Sequence, residues 1–182
     1  MCTGTITLYG KSGRAAQVSS SNEVVLSADN QSATAFEFVV CLASDTSALL
    51  AAIRPTCVSL MDTRRIDWYV RHKGYLLHVD PKPKHNTNTL PLFKADSSFI
   101  VHPNKFHQGK YALESVNLPG HYISSQADGR LKIVARNQIT DLRDASFRVS
   151  DFITPSTYHR SVCSAAEVLF YRSLLLLLFY FF

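Results

Sequence analysis

Two aspartates stand three positions ahead of a phenylalanine, Asp96 before Phe99 and Asp144 before Phe147. A carboxylate just ahead of a strand commonly caps a turn by accepting from backbone N–H groups, and that role alone accounts for the position. Left free, the same group is a strong acceptor for a ligand's donors. His72 lies three residues after Tyr69, and the residue three after Tyr122 is Ser125. The cysteines are not spaced for chemistry. Cys2, Cys41, Cys57 and Cys163 form no C-x-x-C pair, and no histidine stands at zinc-ligand spacing from them. No metal or other cofactor is therefore expected. Their even number permits disulfides without naming a pairing.

The net charge of +5 is concentrated: residues 57–110 hold 9 Lys+Arg against 4 Asp+Glu, while the remainder is neutral. Five of the seven histidines also lie there. This stretch is either a solvated basic face or the place where an acidic partner docks. No Gly-rich RNA motif or helical reader accompanies it, so nucleic acid is not an expected partner. Hydrophobic residues make up 46% of the chain, enough for a buried core rather than a disordered polar chain.

The elements that must hold these residues read as short strands. In the last stretch, Tyr111–Ser115 ends at the turn signal Asn117-Leu118-Pro119-Gly120, and His121–Ser125 ends at Asp128-Gly129, a hairpin signal. Arg130–Ala135 alternates Leu131 and Ile133 with Arg130 and Lys132, giving one buried face and one wet face. Residues 59–79 align with 112–134: Leu60 with Leu113, Tyr69 with Tyr122, Val70 with Ile123 and Leu76 with Leu131. A weaker copy ends at Thr34-Ala35-Phe36. Three units of about four strands predict an all-β fold, a β-trefoil with a degenerate first unit, closed so that no sheet edge is left open. The expected boundaries are 1–56 for the first unit and linker, 57–110 for the second, 111–152 for the third and 153–182 for an apolar tail outside the fold. The repeated Phe and Leu positions are expected to be core. Residues 42–54 are Ala/Leu-rich and suit a helical turn in the linker.

Tyr69-Val70-Arg71-His72 followed by Ala95-Asp96-Ser97-Ser98-Phe99 resembles the arabinose-binding domain of the α-L-arabinofuranosidase B family. So does Glu114-Ser115-Val116-Asn117-Leu118-Pro119-Gly120-His121-Tyr122 followed by Asp144-Ala145-Ser146-Phe147. The resemblance covers residues 57–152 well and 1–56 only by shape. It implies a β-trefoil carbohydrate-binding module in which a His and an Asp line a shallow pocket for an arabinofuranose branch. Carried over, it points to His72 and Asp96 in the second unit. In the third it points to Asp144, with Ser125 where the family has His. The first unit has Thr34 where the Asp should be. Tyr75 and Trp68 are candidates to pack on the apolar face of the sugar, and Trp68 serves equally well as core. This ranking makes the second-unit pocket the stronger.

Hydrolysis needs two carboxylates flanking the scissile bond. The four glutamates, Glu23, Glu37, Glu114 and Glu167, show no such pairing, so no catalytic activity is expected. The expected partner is an arabinofuranose-containing polysaccharide or another glycan, and the chain is expected to be a monomer. The alternative is a non-catalytic interaction module binding an acidic glycan, a lipid head group or a protein through Lys82, Lys84, His85, Lys105, His107 and Lys110. The run Leu174–Phe182 is nine apolar residues, against the roughly 20 needed to span a bilayer. It is read as a mis-joined end rather than a membrane device. The start does not read as a secretory signal, although the family implies an extracellular setting.

Overall fold

A computed structural model of the protein describes residues 5–45, 57–85 and 87–151. The expected apolar tail at 153–182 and most of the linker lie outside the described residues. The described strands are β1 (Thr5–Tyr9), β2 (Ala15–Val18), β3 (Val24–Ser27), β4 (Phe36–Val40), β5 (Cys57–Asp62), β6 (Trp68–Lys73), β7 (Leu76–Pro81), β8 (Phe99–Pro103), β9 (Tyr111–Ser115), β10 (His121–Ser125), β11 (Leu131–Ala135) and β12 (Arg148–Asp151). Among the described residues one α-helix, α1 (Leu90–Asp96), precedes β8. It falls in a stretch read from sequence as polar loop.

The strands pair antiparallel throughout, and seven of them close on themselves in the order β5-β6-β7-β11-β10-β9-β8 and back to β5. From this ring the sheet continues through β4 to β1, which also pairs with β2 and β12, and β2 pairs with β3. The all-β expectation holds, and the β-trefoil expectation is corrected to a barrel-like β-sandwich. The closed ring takes its strands from residues 57–135 and none from the first stretch of chain, so it does not divide into three equivalent units. The physical reason is that repeated apolar positions report which side chains are buried, whereas closure depends on non-local pairing that a local pattern does not encode.

The repeated positions are core. Phe36, Phe99 and Phe147 are each 0% exposed and share one cluster with Leu60, Leu113, Val70 and Ile123. One aligned pair is displaced: Leu77, not Leu76, packs into that cluster. The β6–β7 hairpin pairs Lys73 with Leu76 across the two-residue turn Gly74-Tyr75. Both turn residues have positive φ, +56° and +68°, as the strand-matching hairpin turn requires. The β10–β11 turn places Gly129 at φ +85°, where an added Cβ would stand 3.0 Å from the Leu26 carbonyl oxygen. A disulfide joins Cys41 and Cys57 across a separation of 16 residues. It ties the end of the first stretch to β5 and constrains the unfolded chain. No helix among the described residues is long and apolar enough to cross a membrane.

Phe147 carries the last of these anchors. Replacing it with alanine is expected to cost about 3–5 kcal/mol, the usual range for emptying a buried aromatic site. Urea unfolding of Phe147→Ala against the parent measures this. A loss below about 1 kcal/mol would mean that the core does not depend on this ring.

Candidate functional site

The stretches ahead of Phe99 and Phe147 are built by the same local device. Ser146 Oγ donates to the Leu142 carbonyl at 2.7 Å, and Ser98 Oγ donates to the Lys94 carbonyl at 2.7 Å. Each hydroxyl bonds back four residues and fixes one helical turn. For Asp144 that turn is a 3₁₀ segment, Leu142–Ala145, and for Asp96 it is the end of α1. Backbone bonds between Phe147 and Tyr111 in both directions, at 2.8 and 2.9 Å, tie the first of these turns to β9. The capping role belongs to Asp141, whose side chain accepts from the Arg143 backbone N–H at 3.0 Å. Asp144 is left to face outward.

Asp144 lies on the wall of an open cavity of about 310 Å³, lined also by Lys11, Ser12, Arg14, Ser125 and Gln126. Ser125 Oγ donates toward the Asp144 carboxylate and carbonyl, each at 3.3 Å. Lys11 Nζ reaches Asp141 Oδ2 at 2.8 Å and Asp144 Oδ1 at 3.3 Å. The bonds to Asp141 and then Asp144 raise the Lys11 pKa above its ordinary value. The Asp141 carboxyl is held well below its usual range by the Arg143 hydrogen bond first and the Lys11 bond second. The two candidate residues of the third stretch, Ser125 and Asp144, are thus together and solvent-facing, with cations from the β1–β2 connection beside them.

His72 and Asp96 are also together, but enclosed. His72 Nε2 is 3.5 Å from Asp96 Oδ1 and 3.1 Å from Ser115 Oγ, and each of the two side chains is 7% exposed. Asn117 Nδ2 donates to Asp96 Oδ1 at 2.7 Å, and Arg71 Nη2 is 3.5 Å from Oδ2. Arg71 also lies 3.6 Å from Asp80, with its guanidinium 5.3 Å from the Phe93 ring centroid. Burial pushes the His72 imidazole down. Asp96 pulls it up, Arg71 and His121 push it down again, and the net shift is downward. His72 is therefore a neutral ring at neutral pH, able to donate at one nitrogen and accept at the other.

The remaining candidates separate from both groups. Tyr75 stands at the tip of the β6–β7 hairpin, 56% exposed, with its carbonyl accepting from Ile133 N–H at 2.8 Å. Its ring touches no described aromatic partner. Trp68 packs against the main core cluster under the Arg65 guanidinium, 4.3 Å from its ring centroid. Thr34 is buried, and its hydroxyl takes Val18 N–H at 2.9 Å and Arg64 Nη2 at 3.2 Å. The first stretch therefore offers no carboxylate at this position. Sequence reasoning missed Lys11 and Arg14, because they come from a stretch without the repeated pattern. Ser115 and Asn117 were visible inside the quoted Ser-Val-Asn stretch, but only as motif positions. The basic side chains of 82–85 and 105–110 occupy two separate loops, after β7 and between β8 and β9.

Polar side chains held at strand ends around an all-β core define a barrel-like all-β domain. Within that class the chain belongs to the alpha-L-arabinofuranosidase B (ABFB) domain family, whose profile matches residues 5–149. No curated protein sequence matches it. Among solved structures, a GH54 α-L-arabinofuranosidase soaked with a cyclic sulfate inhibitor is similar at 15% identity and a TM-score of 0.62. An arabinofuranosidase complexed with arabinofuranosyl-α-1,2-xylobiose is similar at 18% identity and a TM-score of 0.60. Both likenesses cover 82% of this chain and 31% of the enzyme. Cry35Ab1 is similar over 88% of this chain and 39% of its own, at 9% identity and a TM-score of 0.58. At these identities the likeness shows the fold alone. The chain spans about a third of the length of the arabinofuranosidases it resembles (31%).

The depressed His72 pKa gives a signed prediction. A histidine held neutral in the folded state contributes its full stability above its ordinary pKa of 6.5, and loses it as pH falls below that value. Urea unfolding between pH 7.5 and 5.5 is expected to show the parent losing more stability than His72→Gln, which has no proton to take up. Equal losses in the two proteins would contradict the buried neutral assignment.

Proposed function

We propose that this domain is a carbohydrate-binding module that grips sugar side branches of an arabinofuranose-containing glycan and does not hydrolyse them. The observation that carries the reading is the open cavity of about 310 Å³ with the Asp144 carboxylate and the Ser125 hydroxyl on its wall. A carboxylate accepts from two adjacent sugar hydroxyls in short, charge-assisted bonds. The Ser125 hydroxyl adds a second polar contact of adjustable direction. Family membership supports the same reading, as does the arabinofuranosyl ligand named for one similar enzyme.

His72 and Asp96 form a second candidate pocket. There Asn117 and Arg71 already approach both carboxylate oxygens, and little of either side chain meets solvent. The geometry thus favours Asp144 as the principal contact and His72–Asp96 as the weaker one, the reverse of the order suggested by motif matching. Tyr75, exposed at its hairpin tip, offers a ring face to a longer glycan chain. The absence of hydrolysis is part of the proposal. Glu114, the best held glutamate, already receives Gly120 N–H at 2.7 Å and Tyr122 O–H at 3.0 Å, with His102 Nε2 at 2.6 Å. Burial raises its pKa, but these bonds outweigh that effect and keep it ionised, which suits a structural carboxylate rather than a proton donor.

Affinity electrophoresis in arabinoxylan tests the assignment. Removing a charged acceptor from a bound hydroxyl costs about 1.5–3 kcal/mol, roughly ten- to a hundredfold in affinity. Asp144→Ala is expected to lose retention by about tenfold or more, and Asp96→Ala by less. Parent-like retention of both folded variants would remove the proposed sites. Retention that survives Asp144→Ala and collapses with added salt would favour binding through the basic loops instead. In parallel, the purified chain is expected to release no arabinose from an aryl arabinofuranoside above a heat-killed control.

A further inference from the structure

The cavity beside Asp144 carries a charge that the binding of a neutral sugar does not use. Its wall holds two cations, Lys11 and Arg14, and one carboxylate, Asp144. Lys11 is committed to Asp141 and Asp144. Arg14 is exposed, and its guanidinium has no hydrogen bond or ion pair with any described residue. The wall that presents it is preformed. The Arg14 carbonyl accepts from Gly10 N–H at 2.9 Å, closing the turn that carries Lys11 and Ser12. A Cβ at Gly10 would stand 2.3 Å from Leu26 Cδ1, so the turn lies flat against Leu26. Leu26 N–H in turn donates to the Gly129 carbonyl at 2.7 Å, joining this wall to the opposite one at Ser125 and Gln126.

We propose that this cavity selects a sugar bearing a carboxylate, a uronic acid residue, with Arg14 taking the carboxylate and Asp144, Ser125 and Gln126 taking the ring hydroxyls. The proposal rests on the carbohydrate-binding reading and deepens it: beside a neutral arabinofuranose branch, the same site takes, and prefers, an acidic branch of the same kind of glycan. A guanidinium matches a carboxylate with two parallel N–H bonds, a geometry that a hydroxyl cannot fill. A bare sulfate fits less well, because it would face the Asp144 carboxylate without a hydroxyl to donate to it. A uronic acid brings the acid and the hydroxyls on one ring, and the cavity volume of about 310 Å³ accommodates one monosaccharide.

The test uses a xylo-oligosaccharide with a single glucuronic acid branch and its carboxyl-reduced counterpart, which differ only in carrying a carboxylate or a CH2OH at that position. Calorimetric titration of the full chain is expected to give a preference of about two- to fivefold for the acidic form, the upper part of the range for an exposed ion pair. Arg14→Ala is expected to bring that ratio to about one, and Arg14→Lys to keep part of it. Lys84→Ala, in a separate loop, is expected to keep all of it. A parent that binds both oligosaccharides equally, or an Arg14→Ala variant that still prefers the acidic form, overturns the uronic acid assignment and leaves the carbohydrate-binding reading standing. A folded parent that binds neither oligosaccharide nor arabinoxylan overturns both together.

Discussion

The geometry of the candidate site depends on the burial of two phenylalanine rings at the ends of helical turns. Phe99 and Phe147 are fully enclosed, and the serine before each bonds back to a carbonyl four residues earlier. Burial fixes where the turn ends, and the serine fixes its pitch. The aspartate two positions before the serine then has one direction in which to point. A carboxylate placed this way needs no cap from its own side chain, and at the third stretch Asp141 supplies the cap instead. The same hydrophobic free energy that closes the barrel therefore also holds the two carboxylates in position.

The surroundings then separate the two aspartates. Asp96 ends α1, with Asn117, Arg71 and His72 around its carboxylate, and its lone pairs are largely spent within the protein. A buried network of this kind is worth most when every member is satisfied, which suits a structural role with some residual capacity to bind. Asp144 meets a hydroxyl and an ammonium on one side and open space on the other. Electrostatics follows the same division. At Asp96 the arginine is drawn in toward two carboxylates, while at Asp144 the lysine is neutralised locally and Arg14 remains outward.

Much of the local structure was legible in the sequence. Tyr111–Ser115 and His121–Ser125 are strands over the residues expected, and the alternation through Leu131 and Ile133 does place those two side chains inside. Those features come from short-range physics: period-two burial and turn chemistry. The closure of the sheet was not legible, because the pairing of β7 with β11 and of β5 with β8 joins segments far apart in sequence. Helix α1 was missed because seven residues containing Pro91 and Leu92 give too short a pattern to separate from a loop. The aspartates of the candidate site were found through a motif, whereas Lys11 and Arg14 reach the cavity only through the fold.

Occupation of the cavity walled by Asp144 by a sugar branch is what every part of the binding proposal requires. An amide NMR titration with an arabinofuranose-branched xylo-oligosaccharide tests it residue by residue. The largest shifts are expected on Lys11–Arg14, on Ser125–Gly129 and on Asp144. Shifts confined to the loops at 82–85 and 104–110, with the Asp144 cavity silent, would contradict it.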